Sequence, residues 1–330
     1  MKTAIPNKAW PILLCILMAV SGTARADDLI SVYKQALLSD PQYQAALEAH
    51  SAALEVVPQA RSALLPNIGI GGDVSRERFD PRNEGETNYS TNQIYSIGLR
   101  QTLYQRERFI QLSQADNRVT QADAQLIAAQ QDLIVRVARR YFLVLASNDN
   151  IEFVTADKDA ISRTLEQAKQ QFAVGLAPIT DTLEAQARYD IAVSNEINAE
   201  QLLSDTEEAL RELTGELPVA PEILQEEIPL LKPEPANLDE WVSVANQQNP
   251  LVLAATAAAE VAKQEIQVKN SGHYPSLDAT ADYSYLDNTF GGVLPLERND
   301  SAIGLELNIP LYQGGLVSSQ TRQSRYEYNL

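Results

Sequence analysis

A chain of 330 residues with 44 acidic against 26 basic side chains, a net charge of −18 and one cysteine is too acidic to be a nucleic-acid binder. A lone cysteine allows neither an internal disulfide nor a thiolate metal site, so stability must come from packing or assembly. The two histidines, His50 and His273, stand in no metal-ligand spacing, and phosphate loops and nucleophile elbows are absent, so no enzyme, cofactor or metal is expected.

At the N-terminus, Lys2 and Lys8 precede an apolar run from Trp10 to Val20, and Ala24-Arg25-Ala26 supplies the small residues of a cleavage site. Residues 1–26 are therefore expected to be a signal peptide. The run is about half the roughly 20 residues a membrane-crossing helix needs. Its removal takes Cys15, Lys2, Lys8 and Arg25, leaving 23 basic against 44 acidic residues, a charge of −21. Beyond it no apolar stretch is long enough for a transmembrane helix, so a membrane could be entered only as strands.

A short helix is expected over Leu29 to Ser39, then a capped helix starting at Pro41 and ending near Pro66. This segment returns 209 positions later, with Pro41 and Pro66 matched by Pro250 and Pro275. Each copy leads into two alternating segments that close on LYQ, at Leu103 to Gln105 and Leu311 to Gln313. A repeat of this length is too long for a solenoid unit and argues for two similar structural halves. Strands are expected at 67–79 and 93–103. Tyr95, Ile97 and Leu99 there face away from Ser96, Gly98 and Arg100.

Residues 104–174 contain neither Pro nor Gly, a run of about 71 residues that would extend about 105 Å as a helix. Ala115, Val119, Ala122, Leu126, Ala129, Leu133, Val137, Tyr141 and Val144 form a coiled-coil seam along it, much of it alanine. The helix ends at VGLAPIT. Gly175 suits a left-handed helix end, Pro178 stops continuation, and Thr180 or Asp181 can cap a returning helix over 178–214. Residues 216–238 carry five prolines and read as a linker. Helices over 239–271 follow, then strands at 276–286 and 301–311. Leu277, Ala279, Ala281, Tyr283 and Tyr285 share one face, as do Ile303, Leu305, Leu307, Ile309 and Leu311. Such alternation fits a transmembrane barrel, apolar side to lipid, and equally a soluble antiparallel sheet with one wet face.

Taken together, the duplication, DPQYQAALEA with SALLPNIGIG, VGLAPITDTLEAQARYD at Val174 to Asp190, and SGHYPSLDATADYSY with IPLYQGGLVSSQ resemble the TolC family of outer membrane efflux proteins. The resemblance covers essentially all of the chain after the signal. It implies a mainly α fold with transmembrane β strands: long coiled-coil hairpins forming an α-barrel tunnel, and four strands per chain in a trimeric 12-stranded barrel. The family role is a passive exit duct for efflux or type I secretion, in the outer membrane and extending into the periplasm. The implied partners are two further copies of the chain, outer membrane lipid, a periplasmic adaptor, and an inner-membrane pump or ABC transporter.

By the same resemblance Thr180 and Asp181 lie at the periplasmic entrance, and Val174, Gly175 and Leu176 at the tip that meets the adaptor. The organisation expected is a first repeat at 27–215, the linker, and a partial second repeat at 239–330. The sequence stops at Leu330 within the family's second long helix, so the expectation is a fragment whose second hairpin, with the gate partners of Asp181, is missing. Two other classes fit parts of the pattern, a periplasmic coiled-coil adaptor and a structural envelope protein. The first would not duplicate the strands flanking its hairpin, and the second gives no reason for apolar strand faces in a secreted chain without cysteine.

Overall fold

The computed structural model describes residues 28–79, 88–216, 221–224, 232–290 and 296–330. The expected signal peptide and residues 217–220 and 225–231 of the 216–238 segment lie outside the described residues. The fold is mainly helical: α1 (Leu29–Ser39), α2 (Pro41–Leu54), α3 (Val56–Ser62), β1 (Asn67–Phe79), β2 (Asn88–Gln105), α4 (Arg106–Ala173), α5 (Ile179–Thr214), α6 (Leu238–Gln248), α7 (Pro250–Asn270), β3 (Ser276–Phe290), β4 (Leu296–Asn308) and α8 (Leu316–Asn329). Two compact units divide the chain, one from residues up to Gln44 and from Gln131 to Leu231, the other from Ala45 to Gln130 and from Lys232 onward.

In the first unit α5 runs back along the second part of α4. Leu133, Val137, Tyr141, Val144 and Leu145 of α4 are buried together with Leu210 and Leu213 of α5 and Val32 and Ala36 of α1. Ala185, Ala192 and Ala199 of α5 are also buried, and their seven-residue spacing is the signature of a seam with close helix approach. Lys158 Nζ reaches both oxygens of Glu196 at 2.6 and 2.7 Å, and Thr155 donates to the same carboxylate at 3.2 Å. This ion pair ties α4 to α5. The hydrogen bond from Lys158 holds the Glu196 carboxyl below the usual glutamate range, and Glu196 in turn raises the Lys158 ammonium.

Asp40 ends one helix and starts the next. Its backbone N–H caps α1 through the Ala36 carbonyl, and its carboxylate accepts from the Tyr43 N–H at 2.8 Å, at the head of α2. Arg136 of α4 grips the same carboxylate with two nitrogens at 3.0 and 2.7 Å, while its Nε donates to Asp132 at 2.7 Å. The helix expected in one piece after Asp40 is interrupted between α2 and α3. Pro58 has no N–H to give the Leu54 carbonyl, so the ladder breaks there. Its counterpart in the second copy is Gln267, and α7 is continuous over 21 residues.

In the second unit the strands form one antiparallel sheet in the order β1-β2-β3-β4, in which β2 and β3 join the two sequence repeats. Three strands differ from the sequence expectation. β2 begins at Asn88 rather than 93 and takes Tyr104 and Gln105 from the expected helix, with an irregular register that skips Leu103. β3 runs on to Phe290. β4 covers Leu296–Asn308 rather than 301–311, so Ile309 and Leu311 lie outside it. Pro310 cannot donate to a ladder and ends it. α7 and α8 pack together with Val317 against Gly272, where a side chain would clash at 2.9 Å.

Candidate functional site

The register assigns every sheet residue to a face. Ile68, Ile70 and Val74 of β1 share a side with Tyr95, Ile97 and Leu99 of β2, Leu277 to Tyr285 at alternate positions of β3, and Ile303, Leu305 and Leu307 of β4. This broad apolar surface is open, with Ile70 at 85%, Ile303 at 91% and Leu305 at 70% exposure. The other side is polar: Arg100 bridges Asp278 at 3.5 Å and Glu306 at 3.2 Å across three strands, and Thr102 donates to Asp278 at 2.8 Å. A soluble protein does not leave so large an apolar surface wet, so the apolar side is built to meet lipid or another apolar partner.

Along β3 the apolar positions from Leu277 to Tyr285 span eight steps, about 27 Å, close to the roughly 25 Å belt of outer-membrane strands. Tyr95 and Tyr285 stack across β2 and β3 at the edge of this belt, with ring centroids 6.4 Å apart. The belt edge drifts across the sheet. Its last apolar residue is Val74 on β1 but Ile303 on β4, six positions away from Val74's row, which meets β4 at Glu297. Over three strand spacings that drift corresponds to strands tilted by roughly 50°, slightly steeper than typical membrane barrels. Among the described residues both outer strands, β1 and β4, carry an unpaired edge.

The second candidate region is the α4–α5 turn in the first unit. Gly175 has φ 76°, its N–H bonds Phe172 O at 3.0 Å, and the Leu176 N–H bonds Gln171 O at 2.9 Å. These two bonds form the Schellman end that a left-handed glycine permits. Val174 and Leu176 project from it, 71% and 80% exposed. The capping expectation is corrected here: the N-cap of α5 is Pro178, with no side-chain capping bond. Pro178 fixes the extended conformation a cap needs, which shifts Asp181 into the first turn, where its negative charge favours the helix dipole. Thr180 donates to Asp181 at 3.2 Å. Asp181, Glu184 and Arg188 of α5 face Ile161, Thr164 and Ala168 of α4 around a shallow cleft of about 310 Å³.

Sequence reasoning missed the long-range pairings, one of them in the second unit. His50 Nε2 lies 2.7 Å from Asp123, tying α2 to α4 in the second unit across 73 positions that no local motif spans. Among the described residues no helix is long and apolar enough to cross a membrane, and no group of three or more ligand-type side chains could hold a metal.

A tilted sheet with one lipid-ready face and two open edges, in a chain that also forms a long helical hairpin, defines a subunit of a membrane channel with a helical extension. The chain belongs to the outer membrane efflux protein family, whose description matches residues 32–216 and 241–330. It is 38% identical over 319 residues to outer membrane protein TolC of Vibrio cholerae, covering 94% of this chain and 71% of the relative. To TolC of Escherichia coli it is 33% identical over 334 residues, covering 98% of this chain and 67% of the relative. Its fold is similar to the Campylobacter jejuni CmeC outer membrane channel, with a TM-score of 0.74 at 15% identity over 91% of this chain and 65% of that one.

Proposed function

We propose that this chain is a subunit of an outer membrane exit duct for efflux or type I secretion, a passive water path that begins in the periplasm. The observation that carries the reading is the sheet, with its exposed apolar face, polar opposite face and two unpaired edges. Four strands cannot close a barrel, since membrane barrels begin at about eight, but three copies joined edge to edge supply twelve. The polar face then lines the water path, and in this family a helical tunnel in the periplasm completes it. Repeats at 27–215 and 239–330, joined by 216–238, give the trimer its pseudo-symmetry.

Energy would come from an inner-membrane pump or ABC transporter, reached through a periplasmic adaptor. The exposed turn at Val174, Gly175 and Leu176 is the proposed adaptor contact, with Thr180 and Asp181 at the closed entrance. Reconstitution of the purified chain into planar bilayers tests the duct directly: discrete conductance steps are expected, and their absence from a correctly inserted oligomer contradicts it. Asp181→Ala should enlarge the conducting population. In a trimer that carries the second hairpin with the gate partners, losing one exposed polar contact of about 0.5–1 kcal/mol changes it about two- to fivefold, and unchanged single-channel conductance and open probability count against the gate assignment.

A further inference from the structure

We propose that a pocket between α4 and α7, just below the helix-bearing end of the sheet, holds the phosphoethanolamine headgroup of an inner-leaflet phospholipid. This rests on the membrane-spanning reading of the sheet. Every described helical neighbour joins the sheet at one end, through Asn67, Gln105, Ser276 and Asn308, so residues just past Gln105 stand where hydrocarbon gives way to headgroups. Tyr104 pairs with Leu277 and so belongs to the lipid side of β2, and its ring centroid lies 6.3 Å from that of Phe109. With Ile110 these two rings form the apolar rim of a pocket of about 470 Å³. Aromatic rings gather at such a membrane–water boundary because one end of the site is apolar and the other wet.

The polar walls supply the chemistry. Arg106, the first residue of α4, stacks its guanidinium over the Tyr274 ring at 4.6 Å. Glu107 beside it and Glu265 on α7 are engaged elsewhere: Glu107 accepts from Gln111 at 3.0 Å, and Glu265 from Gln114 at 3.0 Å and Lys269 at 2.9 Å. A guanidinium held flat on a ring keeps its N–H edge for paired phosphate oxygens. On the α7 side stand Gln264, whose amide donates to Ser113 at 3.2 Å, and the half-exposed Glu260, whose carboxylate also takes Lys263 at 3.0 Å. Among the described residues Arg106 Nε and Gln264 Oε1 are buried without a hydrogen-bond partner, one donor and one acceptor in the wall of a single pocket. A ligand that carries both an anion and a cation supplies partners for the two.

The order of charges selects the headgroup. α4 leaves the sheet at Arg106, while α7 runs toward the sheet and ends at Asn270, so the cation sits at the membrane end and Gln264 and Glu260 lie further out. A phosphoethanolamine headgroup has the same order, with its phosphate next to the glycerol and its ammonium outermost. The seam between copies does not cover the pocket. It lies below β2 and β3, the central pair of the sheet, whereas the copies of the proposed trimer join at β1 and β4.

The test uses the full chain extracted from outer membranes in dodecyl maltoside and titrated with phosphatidylethanolamine or phosphatidylglycerol, with binding read by native mass spectrometry. The unaltered protein should prefer the ethanolamine lipid about fivefold or more. Arg106→Gln should weaken binding of both lipids about tenfold or more. Glu260→Gln, a change on an exposed helix surface, should abolish the preference, and this arm decides the matter even where Arg106→Gln fails to fold. Equal binding of the two lipids by the unaltered protein overturns the headgroup assignment, and undiminished binding by Arg106→Gln overturns the site. Displacement of bound lipid by an equal concentration of free phosphoethanolamine overturns the lipid reading in favour of a soluble ligand. A chain that never enters outer membranes overturns the spanning reading itself, whereas one that enters and binds regardless of the substitutions overturns only the pocket.

Discussion

Asp40→Ala lowers the stability of the first unit by about 3–5 kcal/mol, because it breaks a buried ion pair and leaves its cation behind. The carboxylate is 2% exposed and takes three hydrogen bonds, two from Arg136 and one from the Tyr43 N–H. Alanine removes the cap of α2, worth about 1 kcal/mol alone, and strands Arg136 with only Asp132 as a close ionic partner among the described residues. Denaturant unfolding of the detergent-solubilised protein checks this, and a double-mutant cycle with Arg136→Ala should show a loss well below the sum of the single changes. A loss under about 1 kcal/mol from Asp40→Ala contradicts the account.

The same pair sets a pH dependence. The Arg136 guanidinium holds the Asp40 carboxyl below its ordinary value of 3.8, so the folded state binds the proton less readily than the unfolded chain does. The contribution is therefore fully present above the ordinary aspartate range and fades as the pH falls through the lower, folded value. As the pH falls below 3.8 the unaltered protein should lose stability that Asp40→Ala never had, drawing the two unfolding midpoints toward each other.

Leu305→Arg destabilises the assembled sheet by about 2–4 kcal/mol, the cost of a cation at mid-depth on the lipid face of a membrane strand. Leu305 is 70% exposed, and on a water-facing surface arginine there would cost within about 0.5 kcal/mol. The substitution thus separates the two readings that alternation alone leaves open. Ser284→Arg, on the polar face of the neighbouring strand, serves as the control and should be nearly neutral. The readout is unfolding in lipid vesicles, and equal tolerance of arginine on both faces would remove lipid from the account.

How legible this was in the sequence differs by element. The turn at Gly175 and Pro178 could be read locally, because a left-handed glycine and a donorless proline each fix one backbone conformation. The strands were visible as alternation, but their ends were set by features that alternation does not weigh: Pro310 closing β4, and the skipped Leu103 in β2. The Ala185, Ala192 and Ala199 spacing was present in the sequence and gives the α5 seam as plainly as the α4 residues give theirs. Pro58 likewise marks the break between α2 and α3. By contrast, Asp40 with Arg136 and His50 with Asp123 are separated by 96 and 73 positions. Such long-range ion pairs leave no periodic trace, and only the packed helices bring them together. The entrance residues Thr180 and Asp181 owe their proposed role to the family resemblance, since an acid near a helix start reads locally as dipole compensation.

The most direct measurement is thiol accessibility along β3 in intact outer membranes, for which Cys15, the only cysteine, falls within the expected signal peptide. Single cysteines at Leu277, Ala279, Ala281 and Tyr283 should resist a water-soluble maleimide, while those at Asp278, Thr280, Asp282 and Ser284 react. That alternation is what a strand with lipid on one side and a water path on the other must give. Uniform reactivity on both faces would contradict a membrane-spanning sheet and the exit duct with it.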